Sequence, residues 1–142
     1  MSTLTAHFDL PRDKHAPGWA RRAVTAVLHG WGLHEQDWTD DACAVVSELV
    51  TNAVRHGGGS IALDLEAHGR DVVVSVSDGS PVLPRPRTPD ETGGLGLPLI
   101  ASLTVSWDAQ PYQGGKRVRA QLPPCPSGGT ADAASARPPE PA

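Results

Sequence analysis

Residues 39–57 read TDDACAVVSELVTNAVRHG. Apolar side chains recur at Ala42, Val45, Val46, Leu49, Val50, Ala53 and Val54. That i, i+3, i+4, i+7 rhythm predicts a helix with one buried face. Thr39 is expected as its N-cap, with Asp40 and Asp41 complementing the positive end of the helix dipole. Gly57 is expected to end it in left-handed backbone. At about 100° per residue, Glu48, Asn52, Arg55 and His56 fall along one edge of the apolar arc. A carboxylate, a carboxamide, a guanidinium and an imidazole on one seam make a candidate site. Each also has an ordinary use. Glu48 and Arg55 can form a solvated flank with weak partners, and His56 can simply face the negative end of the dipole.

Upstream, Leu4, Ala6, Phe8 and Leu10 alternate with polar residues and predict a first strand at a sheet edge, ended by Pro11. A helix follows from about Ala16 to Trp31, with Ala20, Ala23, Val24, Val27, Leu28 and Trp31 on one face. Pro17 sits in its first turn, and Gly30 and Gly32 break its end. Downstream of Gly57 the period changes from helical to alternating. Ile61, Leu63 and Leu65 face one way, and the return strand Val72–Ser77 puts Val72, Val74, Val76 and then Asp78 on one side. His68-Gly69-Arg70-Asp71 between them reads as a hairpin turn. An acid on the valine face is costly unless something partners it.

The segment from Gly79 to Thr92 is proline-rich and aperiodic, so a loop is expected. Gly93, Gly94 and Gly96 then open a short apolar helix from Leu97 to Leu103, with Pro98 in its first turn. Two more strands, Thr104–Gln110 and Arg117–Leu122, are joined by a turn at Gly114 and Gly115. Residues 1–122 thus form one domain of the α+β class, a two-layer α/β sandwich with helices on one face of a mixed sheet. Residues 123–142, rich in Pro and Ala, are expected to be a disordered tail.

Composition narrows the function. The net charge is −4 with no dense basic run, so nucleic acid is not an expected partner. No signal peptide and no membrane-length apolar run is legible, which points to a cytoplasmic protein away from membranes. Cys43 is expected in the core and Cys125 in solvent, with no disulfide. The six histidines show no metal-ligand spacing.

Three pieces of chemistry converge. A glycine turn opening a helix favours anions, phosphate above all, through free N–H groups and the dipole. The Gly94-Leu95-Gly96 turn has that character but lacks the GK[ST] of a P-loop. Asp78 can accept an N–H from a neutral heterocycle such as adenine. Asn52 can contribute an oxygen to magnesium, Arg55 can meet a phosphate, and Glu48 can act as a base toward a hydroxyl. Nucleotide binding is the common denominator.

These residues resemble the motifs of the GHKL, or Bergerat-fold, ATPases. Glu48–His56, ELVTNAVRH, resembles their N-box, Ser77-Asp78-Gly79 their first glycine box, and Gly93-Gly94-Leu95-Gly96-Leu97 their second. The compact size and the N-box wording are most similar to the anti-sigma regulatory factor serine/threonine kinases, over residues 3–122. The resemblance implies a histidine-kinase-like ATPase fold with ATP and Mg2+ as cofactors. It implies Asn52 as the magnesium ligand, Glu48 as the base toward an acceptor serine, and Asp78 as the reader of the adenine amino group. Gly79 would begin a lid running to Thr92, Gly93, Gly94, Leu95, Gly96 and Leu97 would wrap the phosphates, and Arg55 would contact one. The implied function is transfer of the γ-phosphate to a serine of an antagonist protein, coupled to sequestering a sigma factor; a homodimer is open to it. Two positions depart from the family pattern. Asp78 is followed by Gly-Ser-Pro-Val rather than by the spacing of DxGxG, and Arg117 follows Gly115-Lys116 where a Thr is usual. They leave room for an alternative, a non-catalytic partner-binding module of the same fold. A sensor histidine kinase would need a dimerisation domain that the chain has no room for.

Overall fold

The computed structural model describes residues 2–84 and 96–127. In chain order the elements are β1 (Thr3–Leu10), α1 (Ala16–Gly30), α2 (Gln36–His56), β2 (Ile61–His68), β3 (Asp71–Asp78), α3 (Gly96–Leu103), β4 (Ser106–Tyr112) and β5 (Gly115–Gln121). The strands pair in the order β1-β2-β3-β5-β4, with β1 at one edge. Every pairing is antiparallel, so the sheet is not mixed as expected. The reason is the connection through α3. It carries the chain past the neighbour of β3 to the far edge, and the β4–β5 hairpin then returns β5 into the open slot.

The alternation in the strands decides which face the helices cover. Ile61, Leu63, Leu65 and Ala67 of β2, Val72, Val74 and Val76 of β3, and Val118 and Ala120 of β5 are buried in one core with the helices. From α2 the core receives Val45, Val46, Leu49, Val50 and Ala53, the stripe read from the sequence. From α1 it receives Ala16, Ala20, Val24 and Leu28. Trp38 is the tryptophan that is buried, Trp31 and Trp107 pack against the core partly exposed, and Trp19 lies 54% exposed.

Helix ends follow local chemistry. Pro17 lies in the first turn of α1. At its other end Leu33 N–H donates to the Leu28 carbonyl at 2.8 Å and Gly32 N–H to that of His29 at 3.0 Å, with Gly32 at φ 79°. That is a Schellman stop, and Leu33 is buried beneath it. The start of α2 differs from expectation: the N-cap is Glu35, not Thr39, and Glu35 Oε1 accepts the Trp38 N–H at 2.6 Å. Thr39 lies inside the helix, where its hydroxyl donates back to the Glu35 carbonyl.

Two further expectations change. The chain does not leave the core at Pro123. Trp38 Nε1 donates to the Pro123 carbonyl at 2.7 Å, Cys125 N–H to that of Arg70 at 3.0 Å, and the Arg70 guanidinium to that of Pro126 at 2.8 Å. Cys125 is therefore fully buried, whereas Cys43 is the partly exposed cysteine, the reverse of the reading from composition. Both are free thiols. The rest of the expected tail, 128–142, lies outside the described residues.

Candidate functional site

The seam of α2 meets the end of β3 at a point too tight for side chains. A Cβ on Gly57 would collide with the Ala53 carbonyl and stand 2.6 Å from the Asp78 Cγ. A Cβ on Gly115 would strike the Asp78 carbonyl and lie 2.8 Å from the Gly79 Cα. Gly79 N–H donates to the Gly58 carbonyl at 2.5 Å. The exit of α2, the end of β3 and the start of β5 therefore touch backbone to backbone around Asp78. Gly57 itself is extended, at φ −92° and ψ −165°, rather than left-handed as expected. Glycine is required there by space, not by the sign of φ. Arg12 donates to the Gly57 carbonyl at 3.0 Å and so puts a cation at the negative end of α2.

Asp78 is 7% exposed, on the face shared with the buried valines. The partner it requires is Lys116, itself 5% exposed and directly opposite in the β3–β5 ladder. Lys116 Nζ donates to Oδ1 at 2.9 Å and lies 2.9 Å from Oδ2, while Ser80 N–H donates to Oδ1 at 2.8 Å. Two buried ions this close compensate each other, where either alone would cost several kcal/mol. A carboxylate offers about four lone-pair positions. Among the described residues three are used here, and one on Oδ2 remains.

Glu48 and Asn52 stand one turn apart on α2, half-buried, beside the buried Leu49 and Ala53. Arg55 and His56 are exposed in the last turn, and both interact with neighbouring groups. Helix α3 begins at Gly96, the next-to-last residue of the third motif, and packs against α2. Leu97 is half-buried and Ile100 fully buried in that contact. Gly79 and the residues to 84 run as irregular chain. Gly93, Gly94 and Leu95, with the remainder of the expected lid, lie outside the described residues. The fold thus brings Asp78 and Gly79 to the C-terminal end of α2, the helix that carries Glu48 and Asn52, and packs α3 against the same helix.

The donor set suits magnesium. One carboxamide oxygen with one nearby carboxylate is the sparse protein contribution that Mg2+ accepts when phosphates and water complete its octahedron. Among the described residues no group of three or more His, Cys, Asp or Glu side chains could hold a metal by itself.

Lys116, the partner of Asp78, and Arg12, the partner of the Gly57 carbonyl, were not read as site residues. Lys116 was visible only as the residue after Gly115, and assigning it to Asp78 needs the β3–β5 register, a non-local fact. Arg12 lies 45 residues from the carbonyl it caps. Arg117, which departs from the family pattern, points to the other face of the sheet. It lies 3.7 Å from Asp64 and stacks over Tyr112 at 4.1 Å. Two concavities lie elsewhere. One of about 280 Å³ lies on the outer sheet face around His7, Asp64 and Arg119. A trough of about 710 Å³ runs over α1 by Lys14, Trp19, Arg21 and Arg22. Neither is lined by Glu48, Asn52 or Asp78.

Comparison with known proteins bears on the family and the fold. The profile of the histidine kinase-like ATPase domain family matches residues 10–122. Among curated proteins, none matches this chain. Among solved structures, the RsbU and RsbW domains of Rv1364c from Mycobacterium tuberculosis superpose with a TM-score of 0.63 at 20% identity, over 84% of this chain and 32% of that one. The histidine kinase domain from Erythrobacter litoralis EL346 blue-light activated histidine kinase aligns at 17% identity with a TM-score of 0.48, over 75% of this chain and 60% of that one. This chain therefore spans about a third of the length of the former and three-fifths of the latter.

Proposed function

This chain belongs to the histidine kinase-like ATPase domain family, and on that premise we propose that it is an ATP-binding regulatory protein serine/threonine kinase. Its substrate would be a serine of an antagonist protein, and its other partner a sigma factor. The observation that carries the reading is the buried Asp78 set against the exit of α2, with one acceptor position unfilled among the described residues, on the helix whose preceding turns carry the half-buried Glu48 and Asn52. The structure of the RsbU and RsbW domains of Rv1364c supports the fold on which the reading stands.

In this reading Asp78 accepts the exocyclic amino group of adenine, and Gly79, Gly93, Gly94, Leu95, Gly96 and Leu97 contact the nucleotide. Asn52 would hold Mg2+, and Arg55 adds a positive charge in the last turn of α2. Bound Mg2+ neutralises charge on the transferred phosphoryl group. Glu48 takes the proton of the acceptor hydroxyl. Phosphoryl transfer rests mainly on positioning and charge neutralisation, so this small set is sufficient. Glu48→Ala is expected to cut phosphate transfer from Mg-ATP to a co-encoded antagonist protein by about 10²–10⁴-fold. ATP affinity should stay within about two-fold, since the base acts on the acceptor rather than the nucleotide. Loss of ATP binding in that variant would make Glu48 a structural residue and overturn its role.

A second reading has one observation in its favour. Trp19, 54% exposed with the Arg22 guanidinium 4.7 Å from its ring centre, heads a basic trough with Lys14 and Arg21 on an otherwise acidic chain. Such a surface suits an acidic protein partner and needs no phosphate transfer. Partner binding by the Glu48→Ala variant, with no transfer by the parent chain, would favour it.

A further inference from the structure

We infer that Lys116 is the specificity-determining partner of Asp78: it fixes the carboxylate as a pure acceptor and so selects a nucleobase that presents an amino group over one that presents a carbonyl. The inference rests on the nucleotide-binding reading above and adds a residue and a selection rule to it.

The geometry leaves Asp78 little freedom. Gly57 packs directly against its carboxyl group, Gly115 lies against its backbone carbonyl, and the Ser80 N–H donates to Oδ1 at 2.8 Å. Lys116 Nζ is 2.9 Å from both oxygens. An ammonium group is donor only, and an ionised carboxylate is acceptor only. With Lys116 and Ser80 in place, the open position on Oδ2 can receive an N–H but can offer none. A ligand carbonyl brought there would set two acceptors against each other in a buried site, which is strongly unfavourable. A ligand amino group completes the fourth lone pair. The selection therefore comes from β5, a strand outside the three glycine and N-box motifs. The antiparallel register Asp78↔Lys116 delivers it.

Removing the ammonium reverses the logic. A buried carboxyl group left without its counter-ion takes a proton rather than remain charged. A protonated carboxyl group can donate to a carbonyl oxygen. Lys116→Met keeps the length and apolar stem of the side chain without its charge, so it should relax discrimination rather than only weaken binding. Lys116→Arg keeps the charge and should retain the preference.

The test compares equilibrium binding of ATP and ITP, which carries a carbonyl where ATP carries the amino group, by calorimetry with Mg2+ on the full chain. Circular dichroism on each variant reads folding. The parent chain is expected to prefer ATP by about ten- to a hundred-fold, the value of one hydrogen bond to a charged group. Folded Lys116→Met should bring the two nucleotides to comparable affinity, with ITP gaining in absolute terms. A folded Lys116→Met with the parent ratio would overturn the inference while leaving the nucleotide site intact. If Lys116→Met does not fold, Lys116→Arg decides: a folded Lys116→Arg that keeps the ATP preference supports the inference, and one that loses it overturns the inference. Absence of ATP binding by the parent chain would instead overturn the nucleotide-binding reading itself, and the inference with it.

Discussion

At the scale of single residues, the site is a problem of space and charge solved around Asp78. Gly57 and Gly115 matter because their hydrogen atoms face other backbone. Adding one methyl group at Gly57 has no free volume to enter. Gly57→Ala should therefore cost about 1–3 kcal/mol of stability, the usual penalty of overpacking. It should also displace the Asp78 carboxyl group, so ATP affinity falls along with the melting temperature. Chemical denaturation and calorimetry on the same variant check both, and a variant with unchanged stability would show that the contact is loose. Asp78 was legible as an acid on an apolar face that needed a partner. The identity of that partner was not, because Lys116 is 38 residues away and only strand pairing brings the two together. The departure at Arg117 proves to concern the outer face, since β alternation aims it away from Asp78.

At the scale of elements, periodicity carried most of the fold. The stripe of α2, the hairpin of β2 and β3 and the proline start of α1 were all readable from residues close in sequence. The N-cap of α2 was not. Thr39 is a better capping residue by type than Glu35, but Trp38 has to enter the helix to reach the core and the Pro123 carbonyl. Packing overrode preference. The antiparallel sheet was missed for a similar reason, because the slot taken by β5 depends on where α3 lands. The β1–β2 ladder also makes a testable claim about pH. His7 faces Asp64 in register, with Nδ1 2.7 Å from its carboxylate and Nε2 3.1 Å from Asp9. The hydrogen bond to Asp64 first, and that to Asp9 second, raise the protonation midpoint of His7 above its ordinary 6.5. A raised midpoint in the folded state gives stability that is fully present below about pH 6.5 and is lost as pH rises through the folded midpoint. The gain is small, because the ring is 55% exposed and solvent screens it. An NMR titration of His7 should show the raised midpoint, and Asp64→Asn should bring it down. An unchanged midpoint in Asp64→Asn would contradict the assignment of cause.

At the scale of the whole molecule, the fold sets the end of β3 against both the exit of α2, the helix that carries Glu48 and Asn52, and the start of β5. Composition alone could exclude little, and it misplaced the cysteines. Cys125 belongs to a Pro-rich segment that looks unburiable, yet Arg70 and Trp38 tie that segment to the core. The motifs were visible because nucleotide chemistry demands particular residue types at short spacing. The partner chemistry was less visible, since an exposed tryptophan beside arginines, such as Trp19 with Arg22, gains meaning only on a surface. The measurement that tests the central claim most directly is a calorimetric titration of the full chain with ATP, with and without Mg2+, beside Asp78→Asn. Saturable binding that Mg2+ strengthens and Asp78→Asn removes is the expected result. No heat at millimolar ATP, or equal binding by Asp78→Asn, would contradict it.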